Sequence, residues 1–129
     1  DAEYFGMDIF GDMIAFLNAF LMHVGQPGSF QVYNVVQGLP VDLPTVQMAM
    51  LLKTAPCLEQ LEKGAARRLL EAIRTDFLLI SYPVYSLGGR SKGMAVNYEK
   101  QFYELTEGKN WTVKRFDFTT ELVFLLDCR

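Results

Sequence analysis

Phe77-Leu78-Leu79-Ile80-Ser81 runs without a break into Tyr82-Pro83-Val84-Tyr85-Ser86-Leu87-Gly88-Gly89-Arg90-Ser91-Lys92-Gly93-Met94. The first five residues form a short apolar run, which reads as a buried strand. The segment after them carries one Pro, three Gly, two Ser, one Arg and one Lys, a composition that belongs to loops. Helical spacing follows over residues 95–105, where Tyr98, Phe102 and Leu105 share one face. An open α/β sheet keeps its ligands at the carboxyl ends of its strands, and a cationic, glycine-bearing loop there fits that rule. The same residues also fit an ordinary surface turn.

Working towards the amino terminus, Val46 to Leu52 is another continuous apolar run, the pattern of a strand buried on both faces of a parallel sheet. Helical spacing then recurs at Leu58, Leu61, Ala65, Leu69 and Ala72, with Glu62, Lys63, Arg67 and Arg68 turned outward. Residues 3–8 read as a strand ending in Asp8, and 11–24 as a helix with Asp12 in its first turn. Residues 25–28 make a turn, and 29–35, aromatic and β-branched, a strand ending near Asn34. Residues 38–44 form a loop. Towards the carboxyl terminus, a turn at 107–110 precedes strands at 111–118 and 121–126. Two final strands with no helix between them read as an antiparallel pair at a sheet edge. The fold class is therefore α/β, with a terminal hairpin.

At 129 residues the chain is at most one domain. Half of its residues are hydrophobic and 21% charged, a balance that excludes disorder. No run approaches the roughly 18 apolar residues of a membrane span. Cys57 and Cys128 follow no metal or disulfide spacing, so a reduced, cytoplasmic protein without a metal is expected. The net charge is −3, whereas a stand-alone RNA binder should carry a basic excess, because phosphate neutralisation drives its affinity. Either the chain does not bind RNA by itself or the main docking surface lies elsewhere. His23, the lone histidine, ends a helix, where its charge is favoured by the dipole without any catalytic role.

Three blocks, in order, carry a family resemblance. They are Asp8-Ile9 followed by Phe16-Leu17-Asn18, then Leu51-Leu52-Lys53-Thr54-Ala55-Pro56-Cys57-Leu58-Glu59-Gln60, then Ser86 to Met94 followed by Asn97-Tyr98-Glu99. Together they span nearly the whole chain and resemble the 16S ribosomal RNA guanine-N7 methyltransferases of the aminoglycoside-resistance type. The resemblance implies a class I S-adenosylmethionine-dependent methyltransferase sheet, Rossmann-like, with residues 1–129 forming part of that domain. In that fold one further strand and its glycine-rich turn precede the strand ending at Asp8, and a helical domain precedes those. The expectation is that these parts are missing, that this piece alone is weak or inactive, and that the two sheet edges flanking the absent strand promote self-association.

The resemblance also assigns roles. Asp8, with Ile9 beside it, would hold the cofactor ribose; a helix N-terminal acid is the alternative reading of Asp8. Asn34 stands where the family carries Asp near the adenine, and keeps a carbonyl acceptor for a weaker, uncharged hydrogen bond. Met50 and Leu51 would wall the adenine, and Gln60 would face the cofactor. Lys53 and Arg90 would contact the target nucleotide and its phosphates, and Met94 would pack on the flipped base, with Lys92 and Tyr98 as supports. Solvated surface remains the alternative for Lys53 and Lys92, and the buried face of a helix for Met94 and Tyr98. Phe10, Gln47 and Tyr85 depart from the family pattern. The implied partner is 16S rRNA within the 30S subunit. A non-catalytic α/β module or assembly partner is the competing reading.

Overall fold

A computed structural model describes residues 1–84 and 93–129. The chain divides into two compact units, Asp1–Gly38 and Leu39–Arg129.

In the first unit, β1 (Tyr4–Asp8) and β2 (Gly28–Val32) are joined by α1 (Gly11–Val24). The strands pair in parallel, from Tyr4 opposite Gly28 to Asp8 opposite Val32, the geometry a helical crossover requires. Ile14 and Leu21 are the buried residues of α1. Asn18 fastens the helix to the strand. Its amide donates to the Phe30 carbonyl and its carbonyl accepts from the Phe30 N–H, both at 2.8 Å. Gly6 lies under the Phe30 ring, where any Cβ would overlap it. The second strand is shorter than its composition predicts. It stops at Val32, and Asn34 instead caps a 3₁₀ turn (Val35–Gln37) by accepting from the Val36 N–H. A short polar side chain that bonds its own backbone competes with the strand ladder.

The second unit is built on a four-stranded sheet in the order β3-β4-β6-β5. The strands are β3 (Val46–Leu52), β4 (Thr75–Pro83), β5 (Thr112–Asp117) and β6 (Glu121–Asp127). β3 and β4 are parallel, and β6 runs antiparallel to both β4 and β5, so the terminal hairpin is present with β5 at the edge. The helices are α2 (Thr54–Leu61), α3 (Ala65–Ala72) and α4 (Met94–Leu105). Tyr82, Phe102 and Phe124 are the largest fully buried side chains. Phe102 stacks on Phe124 with ring centroids 3.7 Å apart.

Two expectations fail here. The helical pattern over 58–72 is two helices, broken at Gly64, whose φ of +85° is left-handed. The Glu59 carboxylate reaches across the break and accepts from the Gly64 and Ala66 N–H groups, 3.1 Å each. The apolar period passes through the break undisturbed, so spacing alone hides it. Nor is β3 buried on both faces. Met48, Met50 and Leu52 are exposed, and only Leu51 is buried, because among the described residues β3 pairs with β4 alone.

Candidate functional site at the carboxyl edges

Parallel pairing decides which side chains can meet. In the first unit, Asp8 closes β1 opposite Val32, and the Tyr33 N–H donates to the Asp8 carbonyl at 3.0 Å. Asp8 and Asn34 therefore lie at the same carboxyl edge. Asp8 is half-buried, and its Oδ1 accepts from the Phe10 N–H at 3.0 Å. Its Oδ2 takes no hydrogen bond among the described residues. Asn34 is exposed, and its Oδ1 already serves the Val36 N–H at 3.1 Å. One carbonyl lone pair and the amide donors remain for a ligand. Ile9 and Phe10, next to Asp8, are both exposed.

In the second unit the corresponding edge is that of β3 and β4. Met50 is exposed near the end of β3, while Leu51 turns into the core. Lys53 follows the strand with φ of +55°, the one non-glycine residue with positive φ among the described residues. Such a conformation costs of order 1–2 kcal/mol and persists only where neighbours enforce it. Here the enforcing neighbour is Ser81. The Lys53 N–H donates to both the Ser81 carbonyl and its Oγ, each at 3.1 Å, and Ser81 is completely buried. The Lys53 side chain reaches the Glu121 carboxylate, with Nζ 3.1 Å from Oε1.

Glu121 and Ser81, which the sequence reading did not single out, both meet Lys53 here. Glu121 pairs with Pro83 across the β4–β6 ladder, and the Val84 N–H donates to the Thr120 carbonyl at 3.0 Å. The head of antiparallel β6 is thereby placed at the carboxyl end of β4. Nothing near Glu121 in the sequence signals this, because it depends on long-range register. Arg90, Lys92 and Tyr85 lie outside the described residues.

Met94 is half-buried in the first turn of α4. Tyr98, one turn on, stacks on Tyr82 with centroids 5.1 Å apart, which favours the packing role for Tyr98. Gln60 is exposed on α2 and lines a groove of about 610 Å³ with Glu59, Tyr82, Asn97 and Tyr98. Burial pushes the Tyr82 phenol well above its ordinary range, and the Glu59 carboxylate and then Tyr98 push it further. It stays protonated at neutral pH. The other cationic clusters are largely spoken for. Arg67 pairs with Glu71, Arg68 with Glu62, and Arg115 with both Glu99 and Asp117. His23 is exposed at the end of α1. No cluster that could hold a metal ion occurs among the described residues, and no described helix is long and apolar enough to cross a membrane.

Taken by itself, the edge of the first unit offers a carboxylate and a carboxamide, and that of the second a tethered ammonium beside exposed apolar side chains. Neither edge holds a proton-transfer dyad among the described residues. The chain is 29% identical over 123 residues to the 16S rRNA (guanine(1405)-N(7))-methyltransferase of Micromonospora echinospora, covering 95% of this chain and 44% of that protein. It is 31% identical over 123 residues to the protein of the same name from Frankia casuarinae, covering 95% and 43%. The crystal structure of the 16S rRNA methyltransferase RmtF in complex with S-adenosyl-L-homocysteine superposes with a TM-score of 0.85 at 28% identity, over 97% of this chain and 47% of that one. The α/β fold is thus that of the S-adenosylmethionine-dependent methyltransferases, and the chain spans less than half the length of these relatives. The family model described as "Ribosomal RNA methyltransferase (FmrO)" matches residues 1–125, and the chain belongs to that family.

Proposed function

We propose that this chain is part of the cofactor-binding domain of a 16S rRNA guanine-N7 methyltransferase that modifies the decoding site of the 30S subunit in the cytoplasm and confers aminoglycoside resistance. The family match over nearly the whole chain carries this reading. The site chemistry supports it. Asp8 has a carboxylate oxygen to offer the ribose hydroxyls of S-adenosylmethionine, Asn34 an amide for the adenine, and Met50 an exposed apolar surface, with Leu51 packed in the core behind it. Ile9 and Gln60 complete the proposed set. When bound, the cofactor supplies an electrophilic methyl group on a sulfonium.

Guanine N7 carries an in-plane lone pair, so no base has to remove a proton before transfer. What the protein must supply is placement, together with a surface that receives a base taken out of its stack. Lys53 would meet a backbone phosphate of the target nucleotide, with Arg90 as its companion, and Met94 would lie against the flipped base.

Isothermal titration with S-adenosyl-L-homocysteine tests cofactor binding. Transfer of a labelled methyl group to 30S subunits tests activity. Micromolar binding with transfer to N7 is the expected result for the complete protein. Binding without transfer would favour the non-catalytic module. Asn34 motivates that second reading, because its carbonyl is already engaged by the Val36 N–H. The exposed apolar residues of β3 support self-association of the isolated chain, since an uncovered apolar edge strand recruits another strand.

A further inference from the structure

We infer that Glu121 is a positioning residue that acts through Lys53, holding its ammonium over the carboxyl edge of β3 and β4 where a phosphate would be received. The inference deepens the function proposed above and rests on it. Three constraints converge on Lys53. Its backbone is held left-handed at φ +55°. Its N–H is fixed by the carbonyl and Oγ of fully buried Ser81. Its Nζ is 3.1 Å from the Glu121 carboxylate. A free lysine side chain has large rotamer freedom, which is lost when its ammonium meets a phosphate. A carboxylate that restricts the ammonium beforehand lowers that cost. The pair is more than half exposed on the lysine side, so the contact is weak enough to be shared with an arriving anion. Lysine has three ammonium donors, and Glu121 Oε1 needs only one of them.

This role makes a prediction opposite in sign to simple electrostatics. Removing an acid beside a phosphate site should by charge alone tighten RNA binding. If Glu121 positions Lys53, Glu121→Gln weakens it. The test measures binding of 30S subunits at fixed salt by the wild-type chain and by Glu121→Gln, Lys53→Ala and the double variant. Side-chain relaxation of the Lys53 Cε methylene is measured by NMR in wild type and Glu121→Gln. The expected result is a loss of affinity of roughly two- to fivefold for Glu121→Gln. No loss, or a gain, is expected when the same change is made in the Lys53→Ala background, and the Lys53 methylene should be more mobile in Glu121→Gln. Unchanged or tighter binding by Glu121→Gln with Lys53 present would overturn the inference, as would an equal loss in both backgrounds. If the wild-type chain alone does not bind 30S subunits, the proposed function, which places this chain as one part of a larger protein, still stands. The relaxation comparison then decides alone, and equal Lys53 mobility in the two proteins refutes positioning.

Discussion

Lys53 offers a way to separate the stability of the fold from the chemistry of the site. Replacing it by Gly and by Ala removes the same ammonium and the same contact with Glu121, so the comparison between the two variants isolates the backbone. At φ +55° an L-residue carries a left-handed penalty of about 1–2 kcal/mol, which glycine escapes. Glycine in return loses about 0.5–1 kcal/mol more chain entropy on folding. The difference leaves Lys53→Gly more stable than Lys53→Ala by roughly 0.5–1 kcal/mol. Against wild type, the lost ion pair is worth at most about 1 kcal/mol at this exposure. Lys53→Gly should therefore be close to wild type, and Lys53→Ala clearly below both. Urea denaturation followed by circular dichroism measures the order, and thermal melts should separate the variants by about 2–5 °C. Both variants should lose 30S affinity alike. If Lys53→Ala proves as stable as Lys53→Gly, the left-handed conformation held by Ser81 is not a feature of the folded protein in solution, and the argument from strain collapses.

Phe102→Ala empties a site that is fully buried and stacked on Phe124; a loss of about 3–5 kcal/mol is expected by chemical denaturation, a large share of the stability of a domain this size. The Asp127 carboxyl is held down to about 2, chiefly by the side-chain hydrogen bonds of Arg129 and then by its N–H. Its contribution to stability is present above the ordinary carboxylate range and is lost as pH falls towards about 2. A carbon-13 titration of Asp127 should show this, and Arg129→Ala should return the carboxyl towards its ordinary range. Asn34→Asp keeps an acceptor for the Val36 N–H and adds a charge-assisted bond to a ligand amine; S-adenosyl-L-homocysteine should bind roughly fivefold tighter by titration calorimetry. Met50→Lys places a charge on the exposed edge strand, and light scattering should show a shift towards monomer.

Much of the fold was legible because it is written in local periodicity. Residues 11–24, 46–52 and 121–126 could be assigned from apolar spacing, and the structure places elements there with nearly the same limits. The break at Gly64 was not legible, since the apolar face of α2 continues into α3 and the cap comes from Glu59 in the preceding helix. The exposure of β3 was not legible either, because an apolar run states what a strand is suited to bury and not which neighbours are present. Asp8 drew attention as an acid ending a strand, and Lys53 through the family resemblance. Ser81 looked like the last residue of a strand, and the two hydrogen bonds it accepts from the Lys53 N–H come from the parallel partner strand. Glu121 was read only as the first residue of the last strand, because only the pairing of β6 with β4 brings it to the lysine.

That pairing has a kinetic consequence. Asn18 and Phe30 meet across a short stretch of chain, whereas Lys53 meets Ser81 and then Glu121 only after far larger loops have closed. Contacts of long sequence separation form slowly. The Lys53–Glu121 contact is then expected to be among the last made in folding and among the first lost in unfolding. A substitution at Glu121 should leave the refolding rate almost untouched and show itself in the unfolding rate, so the ammonium becomes fixed only once the sheet beneath it is complete.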